Sequence, residues 1–89
     1  MITTQDLSIQ FKSAQEQVKT LIKRPTDQQL LELYSLYKQA TEGDAQGSRP
    51  GLLDIKGRKK FDSWTQKKGL SSVDAMKAYI KQVQALSTP

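Results

Sequence analysis

Eighty-nine residues leave room for one small domain around a single core. The chain has no cysteine and no histidine, which removes disulfides, thiol nucleophiles, the commonest general base and the usual nitrogen ligand for zinc. Fourteen basic residues against nine acidic ones give a net charge of +5, a balance suited to an anionic partner such as nucleic acid, a membrane surface or a phosphorylated small molecule.

The first ten residues, MITTQDLSIQ, contain an aspartate and no basic residue, unlike a secretory or transit peptide. No run approaches the roughly 20 apolar residues of a membrane span, so a cytoplasmic protein without stable membrane insertion is expected. A first helix is predicted from about Thr4 to Ile22, where Leu7, Phe11, Ala14, Val18 and Leu21 fall on one stripe. Pro25 ends it by excluding helical geometry from the residue before it. Thr26 is a suitable N-cap for a second helix and Gln29 completes a capping box. That helix runs to about Glu42 and stops at Gly43.

A polar loop, GDAQGSRPG, follows, and Leu52, Leu53 and Ile55 are expected to anchor it to the core. The third helix spans roughly Ile55 to Lys68, with Phe61 and Trp64 on one side and Lys56, Lys60 and Lys67 on a neighbouring stripe. Ser71 caps the fourth, with Asp74 placed to reach back to it. Its stripe is Val73, Met76, Ile80 and Val83, flanked by Tyr79 and Leu86. With no strand alternation anywhere, the fold class is all-α, a four-helix bundle.

The second helix departs from the usual amphipathic pattern. At 100° per residue Leu33, Leu36 and Ala40 point one way, while Leu30, Leu31, Tyr34 and Tyr37 point well round from them with Lys38 at the edge. Either this helix is the most buried of the four, or its second face holds a ligand. Tyrosine offers an apolar body, a polar tip and little entropy to lose. A leucine floor leading to Tyr-Tyr-Lys suits a molecule with a greasy part and an anionic head. Lys56 and Lys60, one turn apart, and Lys19 on the first helix add cations.

The stretches YSLYKQATEGD (34–44), RPGLLDIKGRKKFDSW (49–64) and DAMKAYI (74–80) resemble the acyl-CoA-binding protein family, also called the diazepam-binding inhibitor family, over almost the whole chain. The resemblance implies an up-down-down-up four-helix bundle that binds medium- and long-chain acyl-CoA thioesters without changing them. It implies that Tyr34, Tyr37, Lys38 and Lys60 hold the adenine and 3′-phosphate end, with Ser35 and Leu36 in the same ligand-binding set. Lys19 and Lys56 would lie along the ligand and Tyr79 would close the site. Phe11, Leu30 and Leu31 would cover the acyl chain. Three positions depart from the family pattern: Phe61 replaces the usual tryptophan, Lys67 a leucine and Gln15 an alanine. Gln15 lies near the implied path of the acyl chain, so chain-length preference does not carry over.

Other classes fit less well. The KGRKK run (56–60) invites a nucleic-acid reading, yet no helix presents a face rich in Arg, Asn and Gln. Thioester hydrolysis needs a base and an oxyanion site, and the chain has no His or Cys to provide them. The expectation is a non-enzymatic, monomeric carrier, one acyl-CoA-binding domain over residues 1–89, with no metal, no cofactor beyond the acyl-CoA ligand and no nucleic-acid partner.

Overall fold

The structure is a computed structural model that describes residues 3–88. These form four helices and no strand: α1 (Thr4–Val18), α2 (Asp27–Glu42), α3 (Ile55–Thr65) and α4 (Ser72–Ser87). This is the all-α four-helix fold expected from the sequence. Each helix begins where a side chain satisfies orphan backbone donors. Thr3 and Asp6 form a reciprocal capping box at α1, as Thr26 and Gln29 do at α2. At α4 the Asp74 N–H donates to Ser71 Oγ at 3.0 Å, one of the two bonds expected there. At α3 the cap is Asp54, whose Oδ1 accepts from the Gly57 N–H at 2.9 Å. A Cβ at position 57 would collide with that carboxylate, so glycine is what permits the close cap.

Two helices end earlier than periodicity predicts. α1 stops at Val18 rather than Ile22. The Lys19 N–H turns to the Glu16 carbonyl at 3.1 Å, and Thr20 Oγ1 takes the Gln17 carbonyl at 3.0 Å. Ile22 is fully exposed, so no packing prolongs the helix. α3 stops at Thr65 rather than Lys68, and i→i+3 bonds carry the chain through a tight turn to Gly69 at φ 90°.

α4 lies between α1 and α2, and α3 packs on the other side of α2. The core joins Phe11 and Ala14 of α1, Leu33, Leu36 and Ala40 of α2, and Ala75, Tyr79 and Val83 of α4. The buried row of α4 therefore differs from the expected stripe. Val73 is exposed, Met76 and Ile80 are half-buried, and Ala75 is fully enclosed because its small side chain lets α4 sit close to its neighbours. Leu52, Leu53 and Ile55 do not anchor the loop. They are 77%, 99% and 64% exposed.

Polar contacts hold the long connection between α2 and α3. The Trp64 indole N–H donates to the Gly43 carbonyl at 2.7 Å. Arg49 grips Asp62 through two bonds of 3.0 and 2.7 Å, and Arg58 Nε donates to the Pro50 carbonyl at 2.8 Å. Buried Gln39 donates to Asp44 Oδ1 at 2.7 Å and to the Leu70 carbonyl at 2.9 Å, and the same Asp44 oxygen accepts from the Gly69 N–H at 2.9 Å. These bonds fix where α3 lies against α2. The wall of the site follows from that placement.

Candidate functional site

α2 uses both of its apolar faces. Leu33, Leu36 and Ala40 are buried in the core, while Leu30, Leu31 and Tyr34 are half-buried and Tyr37 is 38% exposed. With the first turns of α3, the outer face encloses a cleft of about 410 Å³ lined by Asp27, Leu30, Leu31, Tyr34, Lys56, Lys59 and Lys60. That volume falls within the roughly 300–1,000 Å³ of small-molecule sites. Leucines form one wall and three lysines the other, so an apolar chain and an anionic group can share the space.

Around the cleft the aromatic rings are held in fixed relations. Lys60 Nζ lies 5.2 Å from the centroid of Tyr34, at cation–π distance. Tyr37 stacks on Phe11 with centroids 6.1 Å apart, and Phe11 meets Tyr79 edge-on at 5.1 Å. Rings from α1, α2 and α4 thus touch in series, and Phe11 and Tyr79 are buried beneath Tyr37. Burial pushes the Tyr79 hydroxyl pKa up, so the phenol keeps its proton.

Lys38 Nζ lies 4.8 Å from the Trp64 centroid and donates to Glu42 Oε2. That bond raises the lysine pKa and keeps the ammonium charged. Lys38 follows Tyr34 by one turn, so its charge is presented on the same side of α2 as the rings. Across the helix pair, Lys67 Nζ binds Glu32 Oε1 at 2.6 Å. The position read as a departure from the family pattern is therefore an ion pair tying the turn after α3 to α2.

The structure brings together Leu30, Leu31, Tyr34, Lys56 and Lys60 on the cleft walls. Phe11, Tyr37 and Tyr79 form the adjoining aromatic series. Lys19 sits at the C-terminal cap of α1, largely exposed and 3.4 Å from Glu16, away from the cleft walls. Ser35 and Leu36 also lie outside those walls. Ser35 is fully buried with its hydroxyl donating to the Glu32 carbonyl at 2.8 Å, and Leu36 is in the core. Gln15 is half-buried and its amide donates to the Phe11 carbonyl at 3.3 Å.

Three contributors were not anticipated. Asp27 and Lys59 line the cleft, and their signal was positional, three residues from Leu30 and from Lys56. The Trp64 face beneath Lys38 had no local signal, because it depends on how the long loop seats α3. Among the described residues, no group of acidic residues is arranged to hold a metal ion and no helix is long and apolar enough to cross a membrane.

Comparison with known proteins gives one consistent result. A family profile described as Acyl CoA binding protein matches residues 8–83. The acyl-CoA-binding protein homolog of Manduca sexta is 54% identical over 81 residues, covering 90% of each chain. That of Drosophila melanogaster is 49% identical over 80 residues, covering 90% of this chain and 93% of its own. The crystal structure of Oryza sativa Acyl-CoA-Binding Protein 2 superposes with a TM-score of 0.85 at 40% identity, covering 90% of this chain and 89% of the rice chain. With a matching profile over most of its length, close relatives over nine-tenths of it and the same helical fold, the chain belongs to the acyl-CoA-binding protein family.

Proposed function

We propose that this protein binds medium- and long-chain acyl-CoA thioesters intact, buffers their free concentration and carries them through the cytoplasm as a monomer, with residues 1–89 acting as one binding domain. The observation that carries the reading is the cleft itself, with Leu30, Leu31 and Tyr34 facing Lys56, Lys59 and Lys60. Leu30 and Leu31 receive the acyl chain, with Phe11 behind Tyr37. Tyr34 and Tyr37 offer ring faces to adenine, and Lys38 and Lys60 take the phosphates. Lys56 lies along the ligand. Tyr79 supports the aromatic series from below, and Lys19, on its exposed stem, reaches the ligand from the α1 side. Ser35 and Leu36 contribute by holding α2 against the core.

Energetics favour the whole thioester over its parts. Each buried methylene contributes about 0.8 kcal/mol, so ten give roughly 8 kcal/mol. Association costs about 4–15 kcal/mol, so the tail alone binds weakly. Charge-assisted bonds to phosphate contribute about 1.5–3 kcal/mol each, which makes the head the anchor. The chain lacks His and Cys, the commonest base and the readiest thioester nucleophile, which supports carriage without chemistry. Calorimetric titration with palmitoyl-CoA and with free palmitate tests the reading. Strong preference for the thioester is expected, and equal affinity for both would overturn it.

A further inference from the structure

The loop entering α3 turns its apolar side chains outward. The Asp54 N–H donates to the Gly51 carbonyl at 3.0 Å, closing a β-turn whose two central residues are Leu52 and Leu53. Turn corners ordinarily carry Gly, Pro, Asn, Asp or Ser. Here they carry two leucines, 77% and 99% exposed, followed by Ile55 at 64%. The turn is held from both sides, by Arg58 on the Pro50 carbonyl and by the Asp54 cap. An apolar point is thus fixed in water by its surroundings.

The rest of the rim matches it. Asp27, the first residue of α2, and Lys56, the second of α3, both line the cleft, so the connections that precede these helices lead to the same edge. The α1–α2 connection brings fully exposed Ile22, followed by Lys23 and Arg24. The first turns of α3 bring Lys56, Arg58, Lys59 and Lys60. Against these six cations the rim sets two carboxylates, Asp27 and Asp54, so it holds +4 of the chain's net +5.

We infer that this rim, with Leu52, Leu53 and Ile22 at its tips and cations around them, docks on the surface of an anionic lipid bilayer. Single aliphatic side chains standing clear on loops suit shallow insertion among acyl chains, and the surrounding ammonium and guanidinium groups suit the lipid phosphates. Among the described residues no helix is long and apolar enough to cross the bilayer, and the proposed contact is peripheral. It places the leucine wall of the cleft next to the hydrocarbon, which gives a chain leaving the bilayer a short path into the protein. That last consequence rests on the proposed acyl-CoA binding; the docking itself does not.

The test is sedimentation of the ligand-free protein with vesicles of phosphatidylcholine alone and with about 30% phosphatidylserine. Binding to the anionic vesicles, little to the neutral ones, and release by high salt are expected. L52S/L53S should lower partitioning by about tenfold or more, and K23E/R24E should remove the preference for phosphatidylserine. Both variants should titrate with soluble acyl-CoA like the parent, since none of these residues lines the cleft. No binding by the parent, the result expected if the rim instead serves a protein partner, would overturn the proposal, as would unchanged binding by L52S/L53S. Vesicle binding by a protein that ignores acyl-CoA would sink the functional reading and leave the docking surface standing.

Discussion

Replacing Lys60 by methionine separates binding from folding most cleanly. Lys60 is exposed, and its ammonium lies 5.2 Å from the Tyr34 centroid. An exposed cation–π contact contributes about 0.5–1 kcal/mol. Methionine keeps most of the apolar stem, so ligand-free stability should fall by less than about 1 kcal/mol, or under about 8 °C in melting temperature for a domain of this size. A charge-assisted bond to phosphate contributes about 1.5–3 kcal/mol, so affinity for palmitoyl-CoA should drop about 13- to 160-fold. Calorimetry of the parent and K60M with palmitoyl-CoA and its 3′-dephospho analogue forms a double cycle. If Lys60 holds the 3′-phosphate, the variant loses affinity for the first ligand and little for the second. Equal losses for both ligands, or a loss below about threefold, would refute the assignment.

Three further outcomes follow from the polar contacts. Gln39→Leu should destabilise the protein by about 1–3 kcal/mol, because it strips the Leu70 carbonyl and Asp44 of their amide donor; a chemical melt will show whether it does. The Gly69 N–H and Gln39 hold the Asp44 carboxyl below its ordinary value of 3.8, and Arg49 does the same for Asp62. Their stabilisation is therefore present above that value and lost as pH falls through the lower folded-state values, so the urea midpoint should fall below about pH 4 and fall less in D44N/D62N. Lys67→Leu should change stability by less than about 1 kcal/mol, since it exchanges a partly exposed ion pair for apolar contact; a larger change in the thermal melt would show the pair matters more.

Much of the fold was legible because the signals are local. The Thr26–Gln29 box and the Gly43 stop marked α2 to the residue, and its two apolar faces posed the choice between deep burial and a ligand face before any neighbour was placed. The end of α1 was not legible. Val18 and Leu21 continue the stripe, but the decision lies with Thr20 competing for a carbonyl and with the lack of anything for Ile22 to pack on. Leu52 and Leu53 were misread because hydrophobicity argues for burial, and nothing local reveals a turn closed from Gly51 to Asp54. Ala75 was passed over in favour of Val73, since periodicity weighs large side chains and a tightly flanked helix needs small ones. In the site, the α2 residues and Lys56 were readable from spacing and resemblance. Lys38 over Trp64 was not, because it depends on contacts across 25 residues of intervening sequence.

The fastening of the long connection bears on how relatives of this protein should be judged. Gly43, Asp44, Arg49, Pro50, Asp54, Gly57, Asp62 and Trp64 all lie in the stretches 34–44 and 49–64 that carry the resemblance, yet their visible work is to seat one helix beside another. A chain that kept these letters while exchanging Tyr34 and Lys60 would still score as kin and still build the trough. Kinship would then be carried by the joints of this molecule, while under the proposed function cargo would be decided by a handful of side chains that the joints hold in position.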